Sequence, residues 1–139
     1  MREILFRGKR IDNDEWIEGH YGEYMLMSGV SIHGISIPKK ETVCGSICYD
    51  VEASTVGQYT GLTDKNGKKI FEGDIVKVTG LWPDRDGEQR IWRQFRVGEV
   101  FYYHGAFFFG KWGLQKTSEK CIEIIGNIHD NPELLEVTQ

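Results

Sequence analysis

The sequence predicts a mainly β protein, and three observations carry that prediction. Short apolar runs with period-two alternation recur along the chain. Clusters of Gly, Asn and Asp separate them at close spacing. Aromatic residues make up 12% of 139 residues, with 17 Gly and only 3 Pro, a composition suited to short strands and many turns. Many short strands at close spacing point to a barrel or a sandwich.

The clearest stretch is Gly57 to Thr79. Val56 to Leu62 and Lys69 to Phe71 flank Asp64-Lys65-Asn66-Gly67, a hairpin signal in which Asn66 and Gly67 are both expected at positive φ. Gly73-Asp74 then turns the chain into Ile75–Thr79, where Val76 and Val78 share a face.

From the start, Arg2 to Gly8 alternates, with Ile4 and Phe6 on one face and Glu3, Leu5 and Arg7 on the other. Asp12, Asn13 and Asp14 form a tip, and Glu15 to Tyr21 alternates again, so residues 3–21 read as a hairpin. Tyr24 to Pro38 reads as a glycine-interrupted strand or two short ones, ended by Pro38. Glu41 to Val51 is a further β-branched run, and Glu52 to Ser54 is a connector. After Thr79 a polar loop is expected over Trp82 to Gln89. Ile91 to Tyr103 is the longest strand candidate, bent by a bulge near Gly98. His104-Gly105 turns it into Ala106–Phe109, Lys111 to Glu119 is loop-like, and Cys121 to Ile125 is a last strand. Asn131-Pro132-Glu133 starts a short helix: Asn131 suits the cap, Pro132 the first turn, and Glu133 the positive helix end.

Two parts are expected, an N-terminal β-rich arm over 1–55 and a barrel with the short helix over 56–139, or one compact domain carrying both. A formal charge of −4 argues against a general nucleic-acid binder. The start lacks the apolar core of a signal peptide, and no apolar run approaches the roughly 20 residues of a membrane span. Three cysteines do not make a disulfide framework, so a cytoplasmic protein with reduced thiols and no membrane contact is expected.

No catalytic residues, no metal and no cofactor are assigned. Cys44 and Cys48 form a single close pair, with Cys121 far away, whereas structural zinc usually takes two close pairs; two small buried thiols are the preferred reading. Gly57, Gly61, Gly67 and Gly73 are turn glycines, because no helix follows them to make a phosphate loop. Asp64 and Asp74 sit at turn and strand entries, where an Asp side chain accepts from backbone amides. The candidate interaction surface is Arg90, Trp92 and Arg96, which alternation places on one strand face, together with Phe108. The runs Phe101-Tyr102-Tyr103 and Phe107-Phe108-Phe109 exceed what one face of a small barrel can bury, so self-association is expected.

Three stretches, MREILFRGKRIDNDEWIEG, STVGQYTGLTDKNGKKIFEGDIVKV and IEIIGNIHDNPELL, resemble the YopX family of phage- and prophage-encoded proteins. The segments Tyr24 to Asp50 and Trp82 to Arg93 depart from it, and any function special to this member is expected there. The resemblance implies a bacterial host cytoplasm and an SH3-like barrel core with an N-terminal hairpin arm. It implies no activity and no residue to carry over. The leading expectation is a non-enzymatic accessory protein acting through contacts with itself and with a host or phage protein. The alternative is a nucleic-acid-binding SH3-like module, since Asp64–Arg96 carries eight basic against six acidic residues.

Overall fold

The computed structural model describes residues 4–38, 46–79, 81–83, 89–91, 96–110, 112–114 and 119–136. It is mainly β, built from two larger antiparallel sheets, a two-stranded ribbon and one short helix. The chain divides into two compact units, Met1–Gly61 and Leu62–Gln139.

In the first unit β1 (Phe6–Lys9) and β2 (Trp16–Met25) form the expected hairpin, with Lys9 opposite Trp16. Asn13 shapes the tip by accepting the Glu15 N–H at 3.0 Å, and Asp14 takes φ +59, a conformation its short polar side chain tolerates. β3 (Ser31–Pro38) pairs with β2, β4 (Ser46–Asp50) with β3, and β5 (Gly57–Thr63) with the other side of β1. The order is therefore β4-β3-β2-β1-β5. The sheet curls until the chain beyond β1 meets the end of β4: Arg10 bridges Val51, and the Glu52 N–H donates to Lys9 O at 2.9 Å. Gly19 sits in that curl, where an added Cβ would stand 2.3 Å from Ser36 O. Ile35, Val51 and Tyr59 are buried. So is Arg7, whose guanidinium lies 4.8 Å from the Trp16 ring centre, while Phe6 is half-buried. Simple alternation had put Arg7 on the face opposite the apolar Ile4 and Phe6; its stem packs while its head finds an aromatic ring.

In the second unit β5 leads through a tight loop to β6 (Lys69–Phe71), then β7 (Asp74–Val78). The loop is not the expected two-residue turn. Asp64 N–H bonds Lys68 O at 2.8 Å and Gly67 N–H bonds Asp64 O at 3.0 Å, so only Gly67, at φ +80, is left-handed. The turn with two successive positive φ values is His104-Gly105, at +46 and +85, joining β10 (Arg96–Tyr103) to β11 (Ala106–Phe109). β12 (Trp112–Gly113) and β13 (Ile122–Asn127) complete the order β12-β11-β10-β7-β13. A core of Ile70, Val76, Val78, Val100, Phe107, Phe109, Leu114 and Ile122 fills one face.

Three expectations need correction. The barrel is not closed, because the sheet ends at β12 and β13. At β13 the next partner is a turn and not a strand: the Lys65 N–H donates to Ile122 O at 2.8 Å, and the Ile124 N–H to Asp64 Oδ2 at 3.2 Å. Of the expected strand from Ile91 to Tyr103, β9 ends at Ile91 and β10 begins at Arg96, and residues 92–95 lie outside the described residues. β8 (Leu81–Pro83) and β9 (Gln89–Ile91) make their own ribbon, so part of the expected polar loop is strand. Gly98 carries no bulge, since its pairing with Val76 stays in step. It is glycine because an added Cβ would stand 2.6 Å from the Gly110 N; the bulge lies at Ile124–Gly126 in β13. At the chain's end α1 (Glu133–Glu136) follows an Asn127-based turn, in which Asn127 Oδ1 accepts from His129 N–H and Asp130 N–H.

Candidate interaction surface

The predicted surface lies only partly within the described residues. Arg90 lies on β9 opposite Trp82, and Arg96 opens β10 opposite Val78. Trp92 lies outside the described residues. The Arg96 guanidinium stands 4.6 Å from the Trp112 ring centre, so it is half-buried on an aromatic face. Phe108 stacks on Phe101 at 5.8 Å, again half-buried.

The surplus rings are mostly accounted for within the unit. Phe107 and Phe109 are buried in the core, and Tyr102 meets Phe107 edge-on at 5.2 Å. Tyr102 and Tyr103 remain more than half exposed beside the His104 turn. The aromatic excess that pointed to self-association thus shrinks to two tyrosines at a hairpin tip.

A stronger apolar surface lies at the β2–β3 tip. Tyr24, Met25, Leu26, Met27 and Val30 are all exposed there, Met27 completely and Met25 at 76%. The tip is ordered by the Leu26 N–H to Val30 O bond at 2.8 Å and by Gly29 at φ +85. Nothing from Tyr24 to Ile32 carries a charge, and the next pair, Glu23 opposite His33, is polar. The sequence held the signal, Met-Leu-Met running into Ser-Gly, but period-two reading assigns such a run to a strand interior.

The isolated acids behave as structural groups. Asp64, 4% exposed, accepts from the N–H groups of Asn66 and Lys68 through Oδ1, both at 2.9 Å, and from Ile124 through Oδ2. Burial pushes its carboxyl up, the three amides and Lys68 pull it down, and the net shift is downward. Asp74 Oδ2 accepts the Phe71 N–H at 2.8 Å. Burial raises Glu99. Among the described residues no three His, Cys, Asp or Glu side chains converge as metal ligands. Cys48 is exposed and Cys121 half-buried, which corrects the buried-pair reading; Cys44 lies outside the described residues. Among those residues no helix is long and apolar enough to cross a membrane.

A second feature of the first unit is an open pocket of about 300 Å³ lined by Arg10, Ile11, Asp12, Cys48, Tyr49 and Asp50. Arg10 donates to Asp12 through Nε at 2.9 Å and Nη2 at 2.5 Å, and its guanidinium lies 4.3 Å from the Tyr49 ring centre.

A mainly β chain of two compact units is the class these features define. A family model described as YopX protein matches residues 5–136, and the chain belongs to the YopX family. Among solved structures it is similar to the crystal structure of protein EF1440 from Enterococcus faecalis. That likeness has 26% identity and a TM-score of 0.54, covering 97% of this chain and 99% of that one. No curated protein matches the chain.

Proposed function

We propose that this protein is a non-enzymatic accessory protein of phage or prophage origin, working in the bacterial cytoplasm through protein–protein contacts. One observation carries the reading: the ordered, charge-free β2–β3 tip presents five exposed apolar side chains. Burying a Val, Leu or Met side chain fully yields roughly 1.5–3 kcal/mol, so these part-exposed groups hold on the order of 5–10 kcal/mol. Association itself costs about 4–15 kcal/mol, so the tip is useful only to a partner that encloses most of it. Asp64 and Asp74, engaged by backbone amides, support a structural role for the acids.

The test is a paired substitution, Met25→Ser with Met27→Ser, in the full chain. Both side chains are exposed, so the stability to unfolding stays within about 0.5 kcal/mol of the parent. Capture of the parent's identified partner, reconstituted from purified components, falls at least tenfold. Unchanged affinity removes the reading. Self-association is measured in the same preparations by light scattering at high concentration. The alternative of nucleic-acid binding predicts a salt-dependent mobility shift lost in Arg90→Ala with Arg96→Ala. Arg96 stacked on Trp112 makes that the weaker reading.

A further inference from the structure

We propose that the outer edge of β4 is a docking slot for an extended, basic segment of a partner protein. Among the described residues β4 is the terminal strand of its sheet. The Val51 N–H donates to His33 O at 2.9 Å, which makes His33–Val51 a hydrogen-bonded pair. In an antiparallel ladder such pairs alternate, so Ile35–Tyr49 and Ile37–Ile47 are bonded too. The backbone groups of Cys48 and Asp50 therefore point away from β3. One is already used: Asp50 O accepts the Ile11 N–H at 3.1 Å, beside the Arg10–Val51 bridge. The chain then turns off through Asp12 to Asp14, and among the described residues no strand continues that line past Cys48. An edge filled at one end and open at the next position suits strand addition. β4 also has neither the Lys nor the Pro that commonly guards an edge.

The pocket beside Cys48 states what the incoming side chain must carry. Among the described residues Arg10 is the one positive group there, and Asp12 holds it. Glu15 reaches it at 4.0 Å, and Asp50 adds a third negative group, so the local balance is acidic. A Lys or Arg entering beside Tyr49 and Asp50 complements that balance. A second copy of β4 does not, since Ser46 to Asp50 contains no basic residue.

The test uses the full-length ¹⁵N-labelled chain and two end-blocked peptides, Thr-Val-Arg-Val-Thr and Thr-Val-Glu-Val-Thr. The arginine peptide shifts the Cys48 amide and slows its hydrogen exchange at least about tenfold at saturation. The glutamate peptide binds roughly threefold to tenfold more weakly, the preference expected of exposed ion pairs. Asp50→Asn, a near-isosteric change at an exposed position, keeps binding but loses most of that preference. A Cys48 amide unmoved by either peptide at millimolar concentration overturns the proposal, as does equal affinity for both. Protection at Cys48 that grows with protein concentration alone assigns the slot to a second copy and also overturns it. The Met25→Ser, Met27→Ser variant keeps the peptide response, which separates this slot from the β2–β3 tip.

Discussion

Asp64 offers the sharpest test of how the second unit is held. Its carboxylate ties two places distant in sequence: the β5–β6 loop, through the Asn66 and Lys68 amides, and β13, through the Ile124 amide. Asp64→Asn keeps Oδ1 but turns an NH₂ toward the Ile124 N–H, donor against donor. One charge-assisted bond is lost and one amide is left facing a donor, which costs about 1.5–3 kcal/mol. Asp64→Ala removes both acceptor oxygens and so all three bonds, which costs about 3–5 kcal/mol, moderated where the loop amides regain water. Urea unfolding followed by near- and far-ultraviolet circular dichroism measures both. The pH dependence has a definite sign. Because the folded-state carboxyl is lowered from its ordinary 3.8, its stabilisation is present above that value. It is lost as the pH falls from about 4 through the lowered folded value. The Asn variant therefore shows a shallower loss of stability over that acid range than the parent. A cost below about 0.5 kcal/mol for Asp64→Ala, or an unchanged acid slope in Asp64→Asn, refutes the three-amide account.

Two further outcomes follow from the same unit. Gly98→Ala places a Cβ 2.6 Å from Gly110 N and 3.0 Å from Phe109 C, both backbone, so β10 and β11 must part. A loss of about 1–3 kcal/mol is expected, read as a lower urea midpoint, and a neutral result contradicts the close approach. Phe109→Ala empties a fully buried site against Trp112, whose ring centre is 5.4 Å away. It should cost about 3–5 kcal/mol in the same urea titration.

Much of the fold is legible without coordinates. The first hairpin, the Asp64–Gly67 turn, the Gly73 turn and the final short helix are all local, written in Asx side chains, glycines and the Asn-Pro-Glu start signal. The acids Asp64 and Asp74 were also legible as backbone acceptors, because turn and strand entries call for one there. The surface was harder. Arg90 pairs with Trp82 and Arg96 with Val78, while Trp92 between them lies outside the described residues. Arg7 reads as a surface charge until Trp16 is placed across the hairpin from it.

Alternation, turn chemistry and the three family stretches settle from the chain alone that this is a mainly β member of the YopX family, with an expected hairpin arm at its start. Those signals act over a few residues, so they specify strands and turns. Whether a sheet closes, which tip stays bare and which edge is left open depend on contacts between distant strands. The capping of β13 by the Asp64 loop, the exposed Met25 and Met27, and the unfilled line beside Cys48 all belong to that second kind. Period-two patterns state which residues can be buried, and only the assembled sheets decide which are.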